Sequence, residues 1–203
     1  MTYPTNINFQ TYQQAGLAGE IGILSEFRLR FFREYPYLYV GSEDNEQKYL
    51  AEYLANPTTR LIVARDTERI IGVAIGTMLS TELNIIDKTE NQLQQYGVEP
   101  QHCFYLGEMI AEPEYRSRGI GKRMLELLKN AGREQGADRF CFLAVVREPN
   151  DVRRPADYTD ASENIFKKFG FEKTDISVTF EWNTIQPDGH VENVANRMDL
   201  WID

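Results

Sequence analysis

The sequence predicts a mixed α/β domain, with a central sheet of six to seven strands, an antiparallel edge and flanking helices. The first observation is a strand–helix–strand unit, in which an amphipathic helix starting at Gly119 separates the apolar segments 103–111 and 140–146. Such a unit pairs its strands in parallel, and an uninterrupted apolar strand is expected where both sheet faces are covered. The second observation is the alternation of apolar and polar residues over 178–182, which is typical of a half-exposed strand. The 203 residues suit one domain spanning residues 1–203.

The first half of the chain is predicted to contain strands, helices and an insertion. Apolar side chains at helical spacing predict two helices, 17–35 and 44–55. Short apolar segments predict three strands, 6–14, 61–64 and 70–79. Asn56-Pro57 ends the second helix, and the polar turn 66–69 joins the second and third strands. Because residues 81–101 are polar and weakly amphipathic, we expect an inserted helix and loop there.

The second half is predicted to add four strands and two helices. The strands are expected at 103–111, 140–146, 178–182 and 194–201. The helices are expected at 119 to about 135 and at 161–169, and Gly136 and Gly170 suit their C-terminal ends. The turn Pro187-Asp188-Gly189 joins the last two strands into a hairpin.

The composition excludes several classes of protein. Lys and Arg number 22 and Asp and Glu number 31, so the formal net charge of −9 argues against a nucleic-acid partner, which requires a basic surface. Hydrophobic residues make up 42% of the chain, which excludes disorder as its main state. The longest apolar run, 140–146, is too short to cross a bilayer, and residues 1–20 show no secretory signal. Cys103 and Cys141 lie in apolar segments, so we expect buried free thiols in a cytoplasmic protein without membrane contact.

A basic loop that contains two glycines is the sharpest candidate site. Residues 116–123 read Arg-Ser-Arg-Gly-Ile-Gly-Lys-Arg and lead into a predicted helix. Glycine lets a backbone approach a ligand closely, and the first amides of a helix have no internal acceptors, so they can bind an anion. Four cations at a helix start also oppose the helix dipole, and such a local conflict often marks a site. The alternative is a solvated basic turn.

Two common phosphate-binding motifs fit this loop poorly. A dinucleotide fingerprint needs a third glycine where this chain has Met124, and an acidic residue about 20 positions further on, which would fall inside the apolar run 140–146. A nucleoside-triphosphate loop needs Ser or Thr after Gly-Lys, but Lys122 is followed by Arg123. A nucleotide-binding α/β domain is therefore the weaker alternative.

Four features in sequence order resemble the GNAT superfamily of acyl-CoA-dependent N-acyltransferases. The loop matches the family pattern Arg/Gln-x-x-Gly-x-Gly/Ala at Arg116, Gly119 and Gly121. Segment 107–115, Gly-Glu-Met-Ile-Ala-Glu-Pro-Glu-Tyr, resembles the fourth strand of the family and its exit. The apolar strand that follows and the motif Gly-Phe-Glu at 170–172 complete a resemblance over about 103–173. It implies that the fourth and fifth strands splay apart and that acetyl-CoA is the cosubstrate.

The resemblance also implies how coenzyme A binds. The loop amides would hold its pyrophosphate, and the implied binding residues are Arg116, Arg118, Gly119, Ile120, Gly121, Lys122 and Arg123. The pantetheine arm would lie along Met109, Ile110 and Ala111, with residues 143–145 on the splayed neighbouring strand. The Met109 amide would donate to the oxyanion. Since His102 and His190 lie far apart without ligand spacing, we expect no metal site.

Glu108 is the candidate general base. It lies in an otherwise apolar strand, and alternation places it on one face with Phe104, Leu106 and Ile110. Desolvation on that face would raise its pKa, which suits a group that accepts a proton near neutral pH. Several GNAT enzymes use a glutamate in this strand. The alternative is that Glu108 pairs with an arginine or reaches solvent past a bulge at Gly107.

The general acid is harder to assign. Many family members carry a tyrosine four residues before the glycine of Gly-Phe, but this chain has Phe166 there, and a phenyl ring cannot donate a proton. Tyr158 in the preceding loop is the candidate acid, and a packing or capping tyrosine is its alternative. A thiolate that leaves to solvent would need no acid.

The acceptor is expected to be a primary amine on a small molecule or a peptide. In the family it enters between the first helices and the late strands, which implicates Phe31, Tyr35 and Tyr37, with an ordinary aromatic core as the alternative. The late strands often pair between subunits in this family, so a homodimer is a further implication. Two functions are therefore weighed: direct transfer of acetyl to an amine in a ternary complex, and a non-catalytic acyl-CoA-binding sensor or interaction domain, which Phe166 keeps open.

Overall fold

A seven-stranded sheet crosses the molecule, and helices lie on both of its faces. The computed structural model describes residues 6–158 and 166–203. The strands are β1 (Ile7–Tyr12), β2 (Arg60–Asp66), β3 (Arg69–Met78), β4 (Cys103–Ala111), β5 (Arg139–Val145), β6 (Glu172–Ile185) and β7 (Val191–Ile202). The α-helices in the described ranges are α1 (Gly22–Phe31), α2 (Glu43–Ala55), α3 (Leu83–Leu93) and α4 (Ile120–Arg133).

The strand order confirms the predicted mixed α/β fold. The order is β1-β2-β3-β4-β5-β7-β6. β4 and β5 are parallel and are connected through α4, as the strand–helix–strand pattern predicts, and every other neighbouring pair is antiparallel. The last strand, β7, lies between β5 and β6.

The two faces of the sheet bury different helices. On one face α4 packs on β4 and β5 through Leu128, Phe104 and Phe140. On the other face α1 and α2 cover β1 to β4, and α3 covers the strands from β4 to β7. The opening between α2 and α3 therefore leads down to the middle of the sheet. None of the helices in the described ranges combines the length and the apolar character that a bilayer crossing requires.

Three elements differ from their predicted bounds. α1 runs over Gly22–Phe31 instead of 17–35, because three glycines fall around its predicted start and glycine weakens a helix by about 1 kcal/mol relative to alanine. Pro36, which lacks an N–H, follows its end. β6 begins at Glu172, well before 178. Of the predicted helix 161–169, residues 161–165 lie outside the described ranges, and Phe166–Lys168 are helical.

β4 and β5 separate after a short parallel ladder. They pair only at Cys103–Arg139, Phe104–Phe140 and Tyr105–Cys141. Beyond Tyr105 both strands continue without pairing to each other, which is the splay that the resemblance implies. The unpaired stretch of β4 borders a gap in the sheet.

A bulge interrupts β4 where this gap begins. Ile75 of β3 is opposite Glu108 and Gly76 is opposite Leu106, so Gly107 is the extra residue. A Cβ atom at Gly107 would collide with the Tyr53 hydroxyl, so the position requires glycine. The bulge shifts the side-chain alternation of β4 by one residue.

Candidate active site

The gap between the separated strands contains a cavity of about 300 Å³. Residues 106–109 of β4 line one wall and residues 143–145 of β5 line the other. Aromatic side chains line much of the remainder, and they are Phe32, Tyr35, Tyr37, Phe142, Tyr158, Phe166, Phe169 and Phe171. Two arginines, Arg147 and Arg154, also line it. We call this space the gap cavity. Its largely apolar walls, one carboxylate and two guanidinium groups suit a long ligand that brings a polar reacting centre.

The loop before α4 presents a row of unpaired amides. Gly119 precedes the helix with φ of +87° and Ser117 has φ of +60°, and these left-handed residues turn the chain sharply. The amides of residues 118–122 donate to no atom of the residues that the structure describes, whereas the Arg123 amide donates to the Gly119 carbonyl at 3.0 Å. The helix dipole adds positive potential at the same point. Five amides at the start of α4 are therefore available to an anion, whereas the Arg123 amide is already paired.

The basic side chains of the loop point in different directions. Arg116 Nε donates to the Ala111 carbonyl at 3.1 Å, and its guanidinium lies 5.7 Å from the centre of the Phe31 ring. Lys122 and Arg123 approach Glu126 at 3.8 and 3.4 Å. Arg118 lies over the Tyr115 ring. These cations hold the loop against its neighbours and raise the local positive potential.

Successive backbone amides of β4 point alternately toward β3 and into the gap. The Glu112 amide donates to the Ile71 carbonyl at 2.9 Å, so the amides of Ile110 and Glu108 also point toward β3. The amides of Met109 and Ala111 then point the other way, into the gap that β5 has left. Of the predicted segment 109–111, Ile110 turns its backbone toward β3 and buries its side chain against α1 and α2.

The bulge moves Glu108 to a different face from the one predicted. Phe104 and Leu106 pack toward α4, whereas Glu108 and Ile110 point toward α1 and α2. The expectation that Glu108 shares a face with Phe104 and Leu106 is wrong, because simple alternation does not hold across the extra residue Gly107. Glu108 instead shares its face with Tyr105.

Glu108 is held by a buried network from the two helices. Its Oε1 accepts hydrogen bonds from Arg28 Nη1 and from the Tyr49 hydroxyl, the latter at 2.8 Å. Arg28 also donates to the buried Glu46 at 2.9 Å. Glu108 therefore pairs with an arginine, as the alternative interpretation proposed. Its Oε2 accepts no hydrogen bond from the residues that the structure describes, and Glu108 lines the gap cavity.

Burial raises the pKa of Glu108 despite this pairing. Desolvation of the carboxylate is the largest effect, and it outweighs the lowering by Arg28 and by the Tyr49 hydrogen bond. Burial also raises the pKa of Tyr37, with Glu108 contributing in the same direction. The site thus combines a carboxylate that accepts protons readily with phenols that keep theirs.

A second cavity, of about 660 Å³, approaches Glu108 from the opposite face of the sheet. It lies between α2, α3 and β6, and we call it the helix-side cavity. Both cavities are lined by Phe32, Tyr37, Gly107, Glu108 and Leu143. The carboxylate therefore lies where two ligands that enter from opposite faces would meet.

The residues predicted to bind the acceptor or to act as the acid differ in whether they line the two cavities. Tyr37 lines both cavities and stacks on Phe32 with ring centres 4.0 Å apart. Tyr35 and Tyr158 line the gap cavity and contact each other edge to face at 4.6 Å. Phe31 lies beside Arg116 and lines neither cavity. Phe166 lines the gap cavity and packs on Phe142 at 4.2 Å, so no phenol occupies that position.

Several residues of the site escaped the sequence reasoning. Arg28 lies within the apolar stripe of α1, and a charge in such a stripe is a signal for a buried partner. Tyr49, Tyr53 and Tyr105 belong to no motif that the sequence shows, and all three line the helix-side cavity. Cys103 and Cys141 are buried free thiols, as predicted. Within residues 6–158 and 166–203, no cluster of three His, Cys, Asp or Glu side chains suits a metal ion.

Known proteins share this fold. A model of the acetyltransferase (GNAT) family matches residues 24–156. The polyamine N acetyltransferase of Drosophila melanogaster has 13% identity and a TM-score of 0.60, covering 97% of this chain and 99% of its own. An acetyltransferase from Streptococcus agalactiae has 12% identity and a TM-score of 0.57, covering 98% and 99%. Arabidopsis thaliana Naa50, solved with the bisubstrate analogue CoA-Ac-MVNAL, has 15% identity and a TM-score of 0.56, covering 98% and 99%.

These structures show that the chain shares their fold, and the match to the family model shows which family the chain belongs to. A search of curated protein sequences finds no match to the chain. The family model covers more than half of the residues and spans β4, the basic loop, α4 and β5. The chain belongs to the GNAT family of acetyltransferases.

Proposed function

We propose that this protein transfers the acetyl group of acetyl-CoA to a primary amine by direct attack in a ternary complex. The observation that carries the proposal is the meeting of the gap cavity and the helix-side cavity at Glu108. Direct transfer requires the thioester and the amine side by side, and much of the rate comes from holding them together. Two entrances from opposite faces allow both substrates to be bound at once.

Coenzyme A fits the residues on the gap side. The five amides of residues 118–122 and the positive end of α4 suit its diphosphate. The outward-facing backbone of Met109 and Ala111 suits the amides of the pantetheine arm. In this arrangement the thioester carbonyl lies beside the Met109 amide, which donates to the oxyanion as it forms.

Glu108 acts as the general base in this proposal. Arg28 and Tyr49 hold Oε1, which leaves Oε2 to accept the one proton that the neutral attacking amine loses, directly or through a bridging water. The raised pKa brings the carboxylate closer to neutral pH, where proton transfer is most efficient. The amine then attacks the carbonyl carbon, and the carbon–sulfur bond breaks when the tetrahedral intermediate collapses.

The departing thiolate needs a proton, and Tyr158 is the proposed donor. It lines the gap cavity, where Phe166 cannot serve. The opening of the cavity toward solvent also allows water to protonate the thiolate. The second candidate function, acyl-CoA binding without turnover, is favoured only by Phe166.

Release of the coenzyme A thiol from acetyl-CoA, followed with a thiol-reactive dye across a panel of amines, tests the proposal. We expect amine-dependent release and an acetylated amine in equal amount. Saturable binding of acetyl-CoA without release by any amine would instead support the non-catalytic domain. If calorimetry at modest ionic strength detects no binding of coenzyme A, both functions are excluded.

A further inference from the structure

We propose that the acceptor is an amine with a second ammonium group, and that Glu52 and Glu82 bind this distal group while the reacting nitrogen lies at Glu108. The inference rests on the proposed function and specifies its substrate class. It predicts a short α,ω-diamine or a longer polycationic amine in place of a simple monoamine.

The helix-side cavity continues past Glu108 into an acidic extension. A third cavity, of about 630 Å³, lies between the C-terminal half of α2 and the start of α3. The two cavities share Tyr49, Glu52, Tyr53, Glu82 and Asn84. Glu52 and Glu82 are the only charged side chains among the described residues that line the third cavity. A ligand bound at Glu108 can therefore extend toward two carboxylates.

Among the described residues, neither of these carboxylates has a cationic partner. Within the described ranges, Glu52 and Glu82 form no ion pair and no side-chain hydrogen bond. Burial, with a further contribution from Glu52, raises the pKa of Glu82 to about 7. A bound ammonium between the two groups would relieve their mutual repulsion and supply the missing counter-charge.

A hydroxyl in the cavity wall gives a second, independent indication of a polar ligand. Tyr105 is only 8% exposed, lines the helix-side cavity, and its hydroxyl has no hydrogen-bond partner among the residues that the structure describes. The hydroxyl reaches the cavity, where a ligand or a water can pair with it. Glu82 lines the same cavity. Tyr105 can accept a hydrogen bond from an ammonium or amine passing between Glu108 and Glu82.

A row of hydroxyl groups leads from Glu108 toward the acidic extension. Glu108 Oε1 lies 2.8 Å from the Tyr49 hydroxyl, which lies 3.1 Å from the Tyr53 hydroxyl. Tyr53 already borders the acidic extension, and Glu82 affects its pKa. Tyr53, Glu52 and Glu82 line the same extension, so this row of hydroxyls leads from the base to the two carboxylates, which favours a linear acceptor.

The positions of the two lysines in the helix-side cavity also favour an acceptor whose distal ammonium points toward Glu52 and Glu82. Lys88 donates to the Thr179 carbonyl at 3.2 Å and lies 5.0 Å from the Phe180 ring, on the β6 side. Lys48 is exposed on α2 and forms no ion pair with Glu52 in the described part of the chain. Neither lysine lines the acidic extension. The β6 side carries the carboxylate of Glu181 as well as Lys88, so the acidic extension is the part of the connected cavities that has carboxylates without a lysine.

The test compares 1,4-diaminobutane with butylamine, which has the same carbon chain and one ammonium. We expect wild-type protein to show a KM for the diamine at least tenfold lower. Glu52→Gln and Glu82→Gln should each raise that KM about fivefold to tenfold, with kcat and the KM for butylamine nearly unchanged. Glu43→Gln, at an exposed carboxylate of α2 that lines none of the three cavities, is the matched control. Thermal melting of each variant checks that it folds.

Direct calorimetry of 1,4-diaminobutane with the protein separates this inference from the proposed function. Binding that Glu82→Gln weakens, without thiol release by any amine, would support the dication site and overturn the acetyltransferase proposal. Equal KM values for the two amines in wild type, or equal losses for both amines in the variants, would overturn the inference while thiol release still supports acetyl transfer. Absence of both binding and release would overturn both.

Discussion

Replacing Glu108 by glutamine removes the proposed base and changes little else. The amide side chain keeps the shape of the carboxylate, and its carbonyl oxygen can still accept hydrogen bonds from Arg28 and Tyr49. It cannot take a proton from the amine. We expect kcat/KM for the amine to fall by about 10²–10⁴-fold, the range that general base catalysis usually contributes. This loss corresponds to about 3–5 kcal/mol in the activation free energy.

The folded state should tolerate the change. Arg28 keeps its hydrogen bond to Glu46 at 2.9 Å, so the guanidinium is not left without a carboxylate. We therefore expect an unfolding free energy lower by about 1–3 kcal/mol, the usual cost of weakening a buried charged hydrogen bond. Affinity for coenzyme A should stay within about twofold, because the amides of residues 118–122 are untouched.

The pH profile gives the sharper readout. A base acts when deprotonated, so wild-type kcat/KM should fall as the pH drops through the pKa of Glu108. Since burial raises that pKa, the fall should occur at a higher pH than for an exposed glutamate. Glu108→Gln should lose this limb and keep the limb that belongs to the amine. The control is Glu46→Gln, which alters the other carboxylate on Arg28 and should keep most of the turnover.

Wild-type kcat/KM with an unchanged pH profile in Glu108→Gln would refute this reasoning. A loss of coenzyme A binding equal to the loss of turnover would also contradict it, because the effect would then be structural.

Three further outcomes follow from local geometry. Gly119→Ala forces an alanine to φ of +87°, so we expect about 1–2 kcal/mol less stability in thermal melting and weaker coenzyme A binding, whereas Gly121→Ala, which has open space around its Cβ, should fold at least as stably. The unfolding free energy of Glu82→Gln should exceed that of the wild type by about 1–2 kcal/mol at pH 8 and equal it at pH 4.5. The reason is that a carboxyl whose pKa is raised to about 7 stabilises the fold at low pH and loses that contribution as the pH rises through 7. If the variant and the wild type melt alike at both pH values, this reasoning is contradicted. Tyr158→Phe should lower kcat about tenfold at an unchanged KM for acetyl-CoA, and an unaltered kcat would exclude Tyr158 as the acid.

Local sequence patterns were sufficient to predict the elements whose geometry depends on residues close to them in the chain. The apolar run of β5, the glycine before α4 and the turn between β6 and β7 each depend on short-range geometry, and each lies where the pattern predicts. The row of available amides is of the same kind, because a helix start leaves its first amides without acceptors wherever it occurs.

The faces of β4 could not be predicted in this way. The bulge at Gly107 depends on how β3 and β4 register and on Tyr53, a residue of α2 that packs over the glycine. Simple alternation therefore assigned Glu108 to the wrong face. Arg28 could be seen as a charge in an apolar stripe, but its partner lies 80 residues away along the chain.

The sequence by itself determined the family resemblance, the order of the elements and the position of the basic loop that contains two glycines, because those follow from backbone preferences and periodicity. Only the tertiary structure decided which face Glu108 occupies, what restrains it, and where the two cavities meet. Those features depend on contacts between α1, α2, β3 and β4, and the free energy of such contacts is set by packing that no local pattern encodes.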